Sequence, residues 1–210
     1  MGAASQVAIA VTGAGTALAG VVYHRRQNRG AARLGGAISR AKAIWLAYAV
    51  FLWFFLCPIL ALSPAVAPPV RALLGAFATF MWLRGVLELV LLFWTRSWTP
   101  PMGIAHDLAC LALLLGGGAW LWPDLAALER PLDRWTLGLL GAVVVSLVCE
   151  TIYAFTFHRI VGGKTKGDEA VWFAPEDDPT FRAINRTTAA LNAPQVAFLL
   201  LFLGVCFDAL

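Results

Sequence analysis

The sequence predicts an all-α fold, a polytopic bundle of five or six transmembrane helices. Its 210 residues are 60% hydrophobic and only 13% charged, with a mean hydropathy of +0.75. Soluble domains have about 45–50% apolar and about 25% charged residues. The apolar residues also fall into blocks of about 20, the length of helix that crosses about 30 Å of bilayer hydrocarbon. So few residues remain outside these blocks that a soluble enzyme is excluded.

Five blocks meet or approach the length of a membrane span. In chain order they are Lys42–Leu62, Val70–Trp94, Gly103–Trp122, Trp135–Phe157 and Pro194–Leu210.

A sixth block, Ala3–Tyr23, is rich in Ala and Gly and decides between five helices and six. Its basic residues follow the apolar run instead of preceding it, which favours a retained helix over a signal peptide. The alternative is cleavage near Ala17-Leu18-Ala19, which resembles a processing site.

The positive charges indicate the orientation of the bundle, because Lys and Arg accumulate in short cytoplasmic loops. Twelve Lys and Arg residues lie in loops on one side, six of them within Tyr23–Lys42, against three on the opposite side. This asymmetry places both termini outside if all six blocks span. The net charge of +4 is therefore a topology signal, and nucleic acid is not a predicted partner.

We divide the chain into residues 1–42, an N-terminal helix with a basic cytoplasmic loop, and 43–210, a five-helix membrane bundle. The bundle includes a polar cytoplasmic loop at 158–193. The lipid bilayer is the predicted environment, and Ala-rich, Arg-rich usage favours the plasma membrane of a bacterium. A homo-oligomer or a larger membrane complex is left open.

The cysteines give no sign of a disulfide framework or of a metal site. Cys57, Cys110, Cys149 and Cys206 each lie inside a predicted span, and they form no C-x-x-C pair. We interpret them as small packing residues. No His, Cys and carboxylate cluster at metal-ligand spacing is present, so neither a metal nor another cofactor is predicted.

Charged residues inside the spans are the main candidates for a functional site, because charge at membrane depth is costly. Arg84 and Glu88 lie four residues apart on one helical face, where they can pair. Asp107 opens the next block, and Glu150 lies near the end of the block Trp135–Phe157. With a rise of about 1.5 Å per residue, the three carboxylates lie about 6–10 Å from the cytoplasmic helix ends. The sequence thus predicts a polar intramembrane site on that side.

We assign Glu88, Asp107 and Glu150 as candidate catalytic residues, with Glu88 ionised beside Arg84 and a proton on Asp107 or Glu150 if unpaired. The alternative is that Arg84 pairs with carboxylates only to fix the register of the helices. Other polar side chains near the same end are assigned to ligand binding: Arg84, His106, Tyr153, His158, Asn185 and Asn192.

A polar face is also predicted on the helix that begins at Pro179 and runs towards Pro194. Four residues on it recur at spacings of three, four and three and therefore share one side: Asn185, Thr188, Asn192 and Gln195. This face either forms a stripe exposed to cytoplasmic water or lines the mouth of the bundle.

With these residues placed, a resemblance to a known family can be stated. Val143–Gly163, VVVSLVCETIYAFTFHRIVGG, resembles the late transmembrane segment of the emopamil-binding (EXPERA) family, where an acidic residue precedes a Tyr and a His-Arg pair. The resemblance extends loosely to Glu88, Asp107 and Asn192-Ala193, and covers roughly Val70–Leu210.

The resemblance implies a compact membrane bundle around a hydrophobic ligand cavity, with Glu88 and Asp107 as acid–base residues and Asn192 lining the cavity. Sterol double-bond isomerases of that family use acidic residues and a His for proton transfer. Here Arg84 stands where the isomerases have His, the loop between Glu88 and Asp107 is shorter, and the inferred orientation is inverted.

Three functional hypotheses follow. A protein that binds or isomerises a lipid-like or sterol-like ligand predicts a closed cavity that is reachable from the bilayer. A small proton-coupled or cation-coupled transporter or channel component predicts polar residues through to the outer face, where these helices are almost wholly apolar. A non-catalytic membrane subunit or scaffold predicts charge pairs that only lock the packing.

Overall fold

The computed structural model describes residues 3–28, 40–95, 97, 99–161 and 179–208, and these residues form helices without any β-strand. The predicted all-α fold is therefore confirmed. The helices are α1 (Ala3–Asn28), α2 (Arg40–Leu62), α3 (Pro68–Leu89), α4 (Pro100–Trp120), the short α5 (Trp122–Ala126), α6 (Pro131–Val161) and α7 (Pro179–Asp208).

Five helical segments are long and apolar enough to cross a membrane. They are Gln6–Arg25, Arg40–Leu62, Pro68–Leu89, Pro101–Trp120 and Pro131–Ile160. The chain is thus an integral membrane protein with several spans.

Each of the five segments corresponds to a predicted block, and their ends differ by a few residues. The remaining predicted block, Pro194–Leu210, lies largely outside the residues whose side chains the structure describes, and it stays a prediction as a span. That block forms the second half of α7, whose first half carries the polar face predicted between Pro179 and Pro194. Most of the basic loop after Tyr23 and the centre of the polar loop at 158–193 lie outside the described residues.

Proline begins most of the helices. Pro68, Pro100, Pro131 and Pro179 each occupy the first position of a helix. The first backbone N–H groups of a helix have no partner within it, so a residue without an N–H fits there at little cost. Pro68, Pro100 and Pro131 each follow a loop, which is why these three helices start where they do.

Two stretches of the helices are widened into π-helical turns. Val50–Leu56 in the middle of α2 is one, and the N–H of Cys57 donates to the carbonyl of Leu52, five residues earlier. Val90–Trp94 extends the end of α3 in the same way, with the N–H of Thr95 2.9 Å from the carbonyl oxygen of Val90. Such turns are rare and are frequent near functional sites.

Helix α2 occupies the centre of the bundle, because it contacts α1, α3 and α7, while α6 packs on α4 and α7. Leu52, Leu56 and Leu60 of α2 are fully buried, together with Phe77 of α3 and Val143 of α6. Since lipid tails are as apolar as these side chains, the contacts stabilise the bundle mainly through close packing. The packing therefore depends on the shape of the side chains, and three of these five fully buried side chains belong to α2.

Helix α1 lies at the edge of the bundle and is mostly exposed. It touches α2 through small residues: a Cβ added at Gly20 would come within 2.9 Å of the Ala47 Cβ. One added at Gly13 would come within 3.1 Å of the Phe51 ring. Real Cβ contacts are longer, so Gly at these positions lets the two helices approach closely.

Opposite the basic loops, Asp133 joins the start of α6 to the loop between α2 and α3. It is 2% exposed, and its Oδ1 accepts a hydrogen bond from the N–H of Ala67 at 3.2 Å. Arg130 donates to both carboxylate oxygens, at 2.5 and 2.7 Å, and also to the carbonyl of Ala65 at 3.2 Å. The hydrogen bonds to Asp133 raise the pKa of the Arg130 guanidinium. We call Arg130 and Asp133 the outer junction.

Asp133→Ala should destabilise the protein by about 1–3 kcal/mol, because the buried N–H of Ala67 would lose its acceptor. The measurement is the apparent Tm in detergent. Glu129→Ala is the control, since Glu129 is an exposed carboxylate in the same loop. If both variants melted at the same temperature, the outer junction would contribute nothing to stability.

Candidate functional site

Four transmembrane helices contribute charged side chains to one group, which we call the polar cluster: Lys42 of α2, Arg84 and Glu88 of α3, His106 and Asp107 of α4, and Glu150 of α6. Arg84 is at its centre. The Arg84 Nε lies 3.1 Å from Glu88 Oε1, and Nη1 donates to Asp107 Oδ1. Asp107 is 1% exposed, so Arg84 and Asp107 form a buried ion pair between α3 and α4.

The other part of the polar cluster lies between α2 and α6. The indole N–H of Trp45 donates a hydrogen bond to Glu150. The Lys42 Nζ lies 4.4 Å from the ring centroid of Tyr153 and 5.4 Å from that of Trp45, within range of cation–π attraction. Glu150 is also within electrostatic range of Asp107 and Arg84, so the two parts form one group.

The structure thus brings Glu88, Asp107 and Glu150 together, while their assignment as catalytic residues stays a prediction. Neither Lys42, which was counted with the topology-setting loop, nor Trp45 was among the predicted site residues. The spacing of three between them, at the start of an apolar helix, is a signal that both share a face.

The formal charges of the polar cluster do not cancel. With Lys42 and Arg84 protonated and all three carboxylates ionised, the sum is one negative charge. An uncompensated charge in a medium of low dielectric is expensive, so one additional proton makes the group neutral. The Nδ1 of His106 is buried without a hydrogen-bond partner among the described residues and lies 3.8 Å from Glu88 Oε1.

The polar face of α7 is directed into the bundle. Thr188, Asn192 and Gln195 are all buried, so the interpretation as a water-exposed stripe is wrong. Gln195 Oε1 accepts a hydrogen bond from Ser146 of α6 at 2.7 Å. Asn192 donates to the carbonyl of Ala41 at 3.2 Å. The amide groups therefore fasten α7 to α6 and α2.

Two of the predicted binding residues are placed differently from the rest. His158 is exposed near the end of α6. Asn185 is half-buried on α7, and its Oδ1 lacks a hydrogen-bond partner, as does the Oδ1 of Asn192. These two buried side-chain oxygens accept no hydrogen bond from the described residues.

A layer of apolar side chains separates the polar cluster from the outer junction. It consists of fully buried residues of three helices: Leu52 and Leu56 of α2, Leu74 and Phe77 of α3, and Leu139 and Val143 of α6. No polar side chain of the described residues is shown to cross this layer.

A cavity of about 710 Å³ lies between α1, α2 and α7, on the side of α2 that faces away from the polar cluster. Its wall is mostly apolar and includes the small residues Gly13, Ala17 and Gly20 of α1. Val21, Ile44 and Leu200 line the cavity and are also exposed, so it opens sideways towards the bilayer. We call this space the α1 cavity.

Polar groups of the α1 cavity are few. His24, Arg25 and Arg40 lie at the end near the basic loop, and Tyr48 lies further along α2 beside Ser146. A volume between about 300 and 1,000 Å³, an apolar wall and a few polar groups are typical of small-molecule sites. None of the predicted site residues lines it.

Comparisons with protein-family models, with curated proteins and with solved structures found no match. The fold, the polar cluster and the outer junction define the class of the protein, a multi-pass α-helical membrane protein with a buried charged cluster. The resemblance to the emopamil-binding family stays a prediction.

Replacing Arg84 by Leu should destabilise the bundle by about 3–5 kcal/mol, because Asp107 would be left as a buried charge without its partner. Adding Asp107→Asn should recover part of this loss, since a neutral amide is less costly to bury. The measurement is the apparent Tm of both variants in detergent. If the double variant lost as much stability as Arg84→Leu and Asp107→Asn lose separately, taken together, the result would contradict the ion pair.

Proposed function

We propose that the protein binds a lipid-like hydrophobic molecule in the α1 cavity. The observation that carries this proposal is an apolar cavity of about 710 Å³ with exposed apolar residues at its rim. A molecule dissolved in the bilayer can enter such a space sideways without passing through water. The first functional hypothesis expected a closed cavity at Glu88 and Asp107, whereas the α1 cavity is open to the bilayer and lies apart from both residues.

The lining restricts the chemistry of the ligand. Small and aliphatic side chains along α1 and α2 suit a hydrocarbon chain or a ring system. The hydroxyl of Tyr48 is a polar group on this wall, away from the basic end. This hydroxyl already has a hydrogen-bond partner in Ser146 of α6, so the apolar lining is the main restriction on the ligand.

Binding is a better proposal than catalysis. Acid–base isomerisation, which the family resemblance implies, needs the reacting atoms to reach Glu88 or Asp107. Arg84 engages both carboxylates, and neither lines the cavity. On α2, Trp45 points towards the polar cluster, whereas Ile44, Ala47 and Tyr48 line the cavity, so the helix stands between the two regions.

The polar cluster then serves mainly to hold α2, α3, α4 and α6 in a fixed register relative to one another. Buried ion pairs are strongly directional, and a shift in helix register would break several contacts together. A transport role requires a polar route to the outer face. The apolar layer around Leu56, Phe77 and Val143 disfavours such a route.

Native mass spectrometry with lipid analysis tests the proposal on protein purified in mild detergent. The wild type should retain a hydrophobic molecule, and Ala17→Phe should lose it, because the new ring would fill the cavity. Ala19→Phe is the matched control, as Ala19 is exposed on the same helix and does not line the cavity.

Glu88→Gln separates the two regions of the protein. If the ligand lies in the α1 cavity, this variant should retain it as the wild type does. Loss of the ligand in Glu88→Gln together with retention in Ala17→Phe would place the ligand at the polar cluster, contrary to the proposal.

A further inference from the structure

The α1 cavity has opposite chemistry at its two ends. His24 and Arg25, in the last turns of α1, and Arg40, the first residue of α2, line the end next to the basic loop. Both arginines are exposed, so their guanidinium groups are accessible to a ligand at the mouth. Towards the other end, the wall is formed by residues such as Ile9, Phe51 and Val196.

This cationic end is not neutralised by acidic residues of the helices that form most of the cavity. The first acidic residue in the chain is Glu88, so α1, α2 and the loop between them contain no carboxylate. Glu88 and Glu150 belong to the polar cluster on the far side of α2, where Arg84 and Trp45 engage them. Among the described residues, the lining of the mouth therefore carries positive charge and no carboxylate.

Resting on the proposed function, we propose that the occupant is an anionic membrane lipid whose phosphate is bound by Arg25 and Arg40 and whose acyl chain fills the cavity. Arginine suits this role, because its planar guanidinium can donate two parallel hydrogen bonds to phosphate. The basic loop indicates that this end faces the cytoplasmic leaflet. In that leaflet anionic lipids attract Lys and Arg.

The apolar part of the cavity distinguishes this proposal from simple surface attraction. Basic residues near any cytoplasmic helix end attract anionic lipids, and Arg159 at the end of α6 is such a residue. Arg25 and Arg40 differ because they lie at the mouth of a cavity that can enclose the hydrocarbon chain of the same molecule. The headgroup and the acyl chain of one lipid are then bound together, and the preference for an anionic headgroup depends on these two arginines.

The test compares two probes with identical acyl chains, phosphatidylglycerol, which is anionic, and phosphatidylcholine, which has no net charge. Delipidated full-length protein is titrated with each, and bound lipid is counted by native mass spectrometry. The wild type should prefer phosphatidylglycerol. Each Arg near an anionic lipid contributes about 1 kcal/mol, which corresponds to about fivefold in affinity. Arg25→Gln with Arg40→Gln should therefore reduce phosphatidylglycerol binding about 30-fold. Phosphatidylcholine binding should fall much less, because its choline cation offsets the charge of the phosphate that both lipids carry.

Arg159→Gln is the matched control for the single variant Arg25→Gln, because each removes one positive charge on the same side of the membrane and only Arg25 lines the cavity. Arg159→Gln should leave the preference for phosphatidylglycerol intact. An equal loss in Arg159→Gln and in Arg25→Gln would show surface attraction only and overturn the inference.

The outcomes separate the inference from the proposed function. If the wild type bound both lipids equally, and Ala17→Phe abolished the binding of both, the cavity would bind lipid without distinguishing the charge of the headgroup. The inference would then fail while the proposed function held. If Ala17→Phe bound both probes as the wild type does, neither would lie in the cavity, and both proposals would fail.

Discussion

The bilayer core contains no water to satisfy the polar groups of this protein, so each polar side chain inside the bundle requires a partner from another helix or from its own. The structure meets this constraint mostly with contacts between helices, and a few buried atoms such as Asn185 Oδ1 have no partner among the described residues. Arg84 joins α3 to α4, Trp45 and Glu150 join α2 to α6, and the amides of Asn192 and Gln195 hold α7. These contacts also specify which helices are neighbours, which apolar packing against lipid cannot do as sharply.

The same constraint explains the two-sided character of α2. One face carries Lys42 and Trp45 and is surrounded by helices that supply carboxylates and aromatic rings. The other face carries Ala43, Ala47 and Phe51 and meets α1 and part of α7. Strong polar contacts thus hold one side rigidly, while the other side is closed by a peripheral helix that touches it at Gly13 and Gly20. A binding cavity on the second side leaves the central packing undisturbed.

Much of this architecture could be predicted from sequence, since length, hydropathy and loop charge fix the spans within a few residues. The pairing of Arg84 with Glu88 followed from helical spacing, and the approach of Asp107 followed from its depth. The α1 cavity could not be predicted, because a stripe of Gly and Ala indicates close helix packing and does not reveal where the helices separate. The burial of Thr188 and Gln195 was also undecided, as the spacing shows that they share a face but not which way the face turns.

A void in a packed bundle loses the dispersion contacts that its lining would otherwise make. An apolar cavity that opens to the bilayer is therefore expected to be filled, at least by whichever acyl chain lies nearest. Hydrocarbon alone gives little discrimination, because one acyl chain resembles another. Any specificity must arise from the few polar groups on the wall, which are Tyr48 within the cavity and His24, Arg25 and Arg40 at its mouth. Their arrangement favours a molecule with a long apolar body and a negative charge at one end, and the membrane itself supplies such molecules.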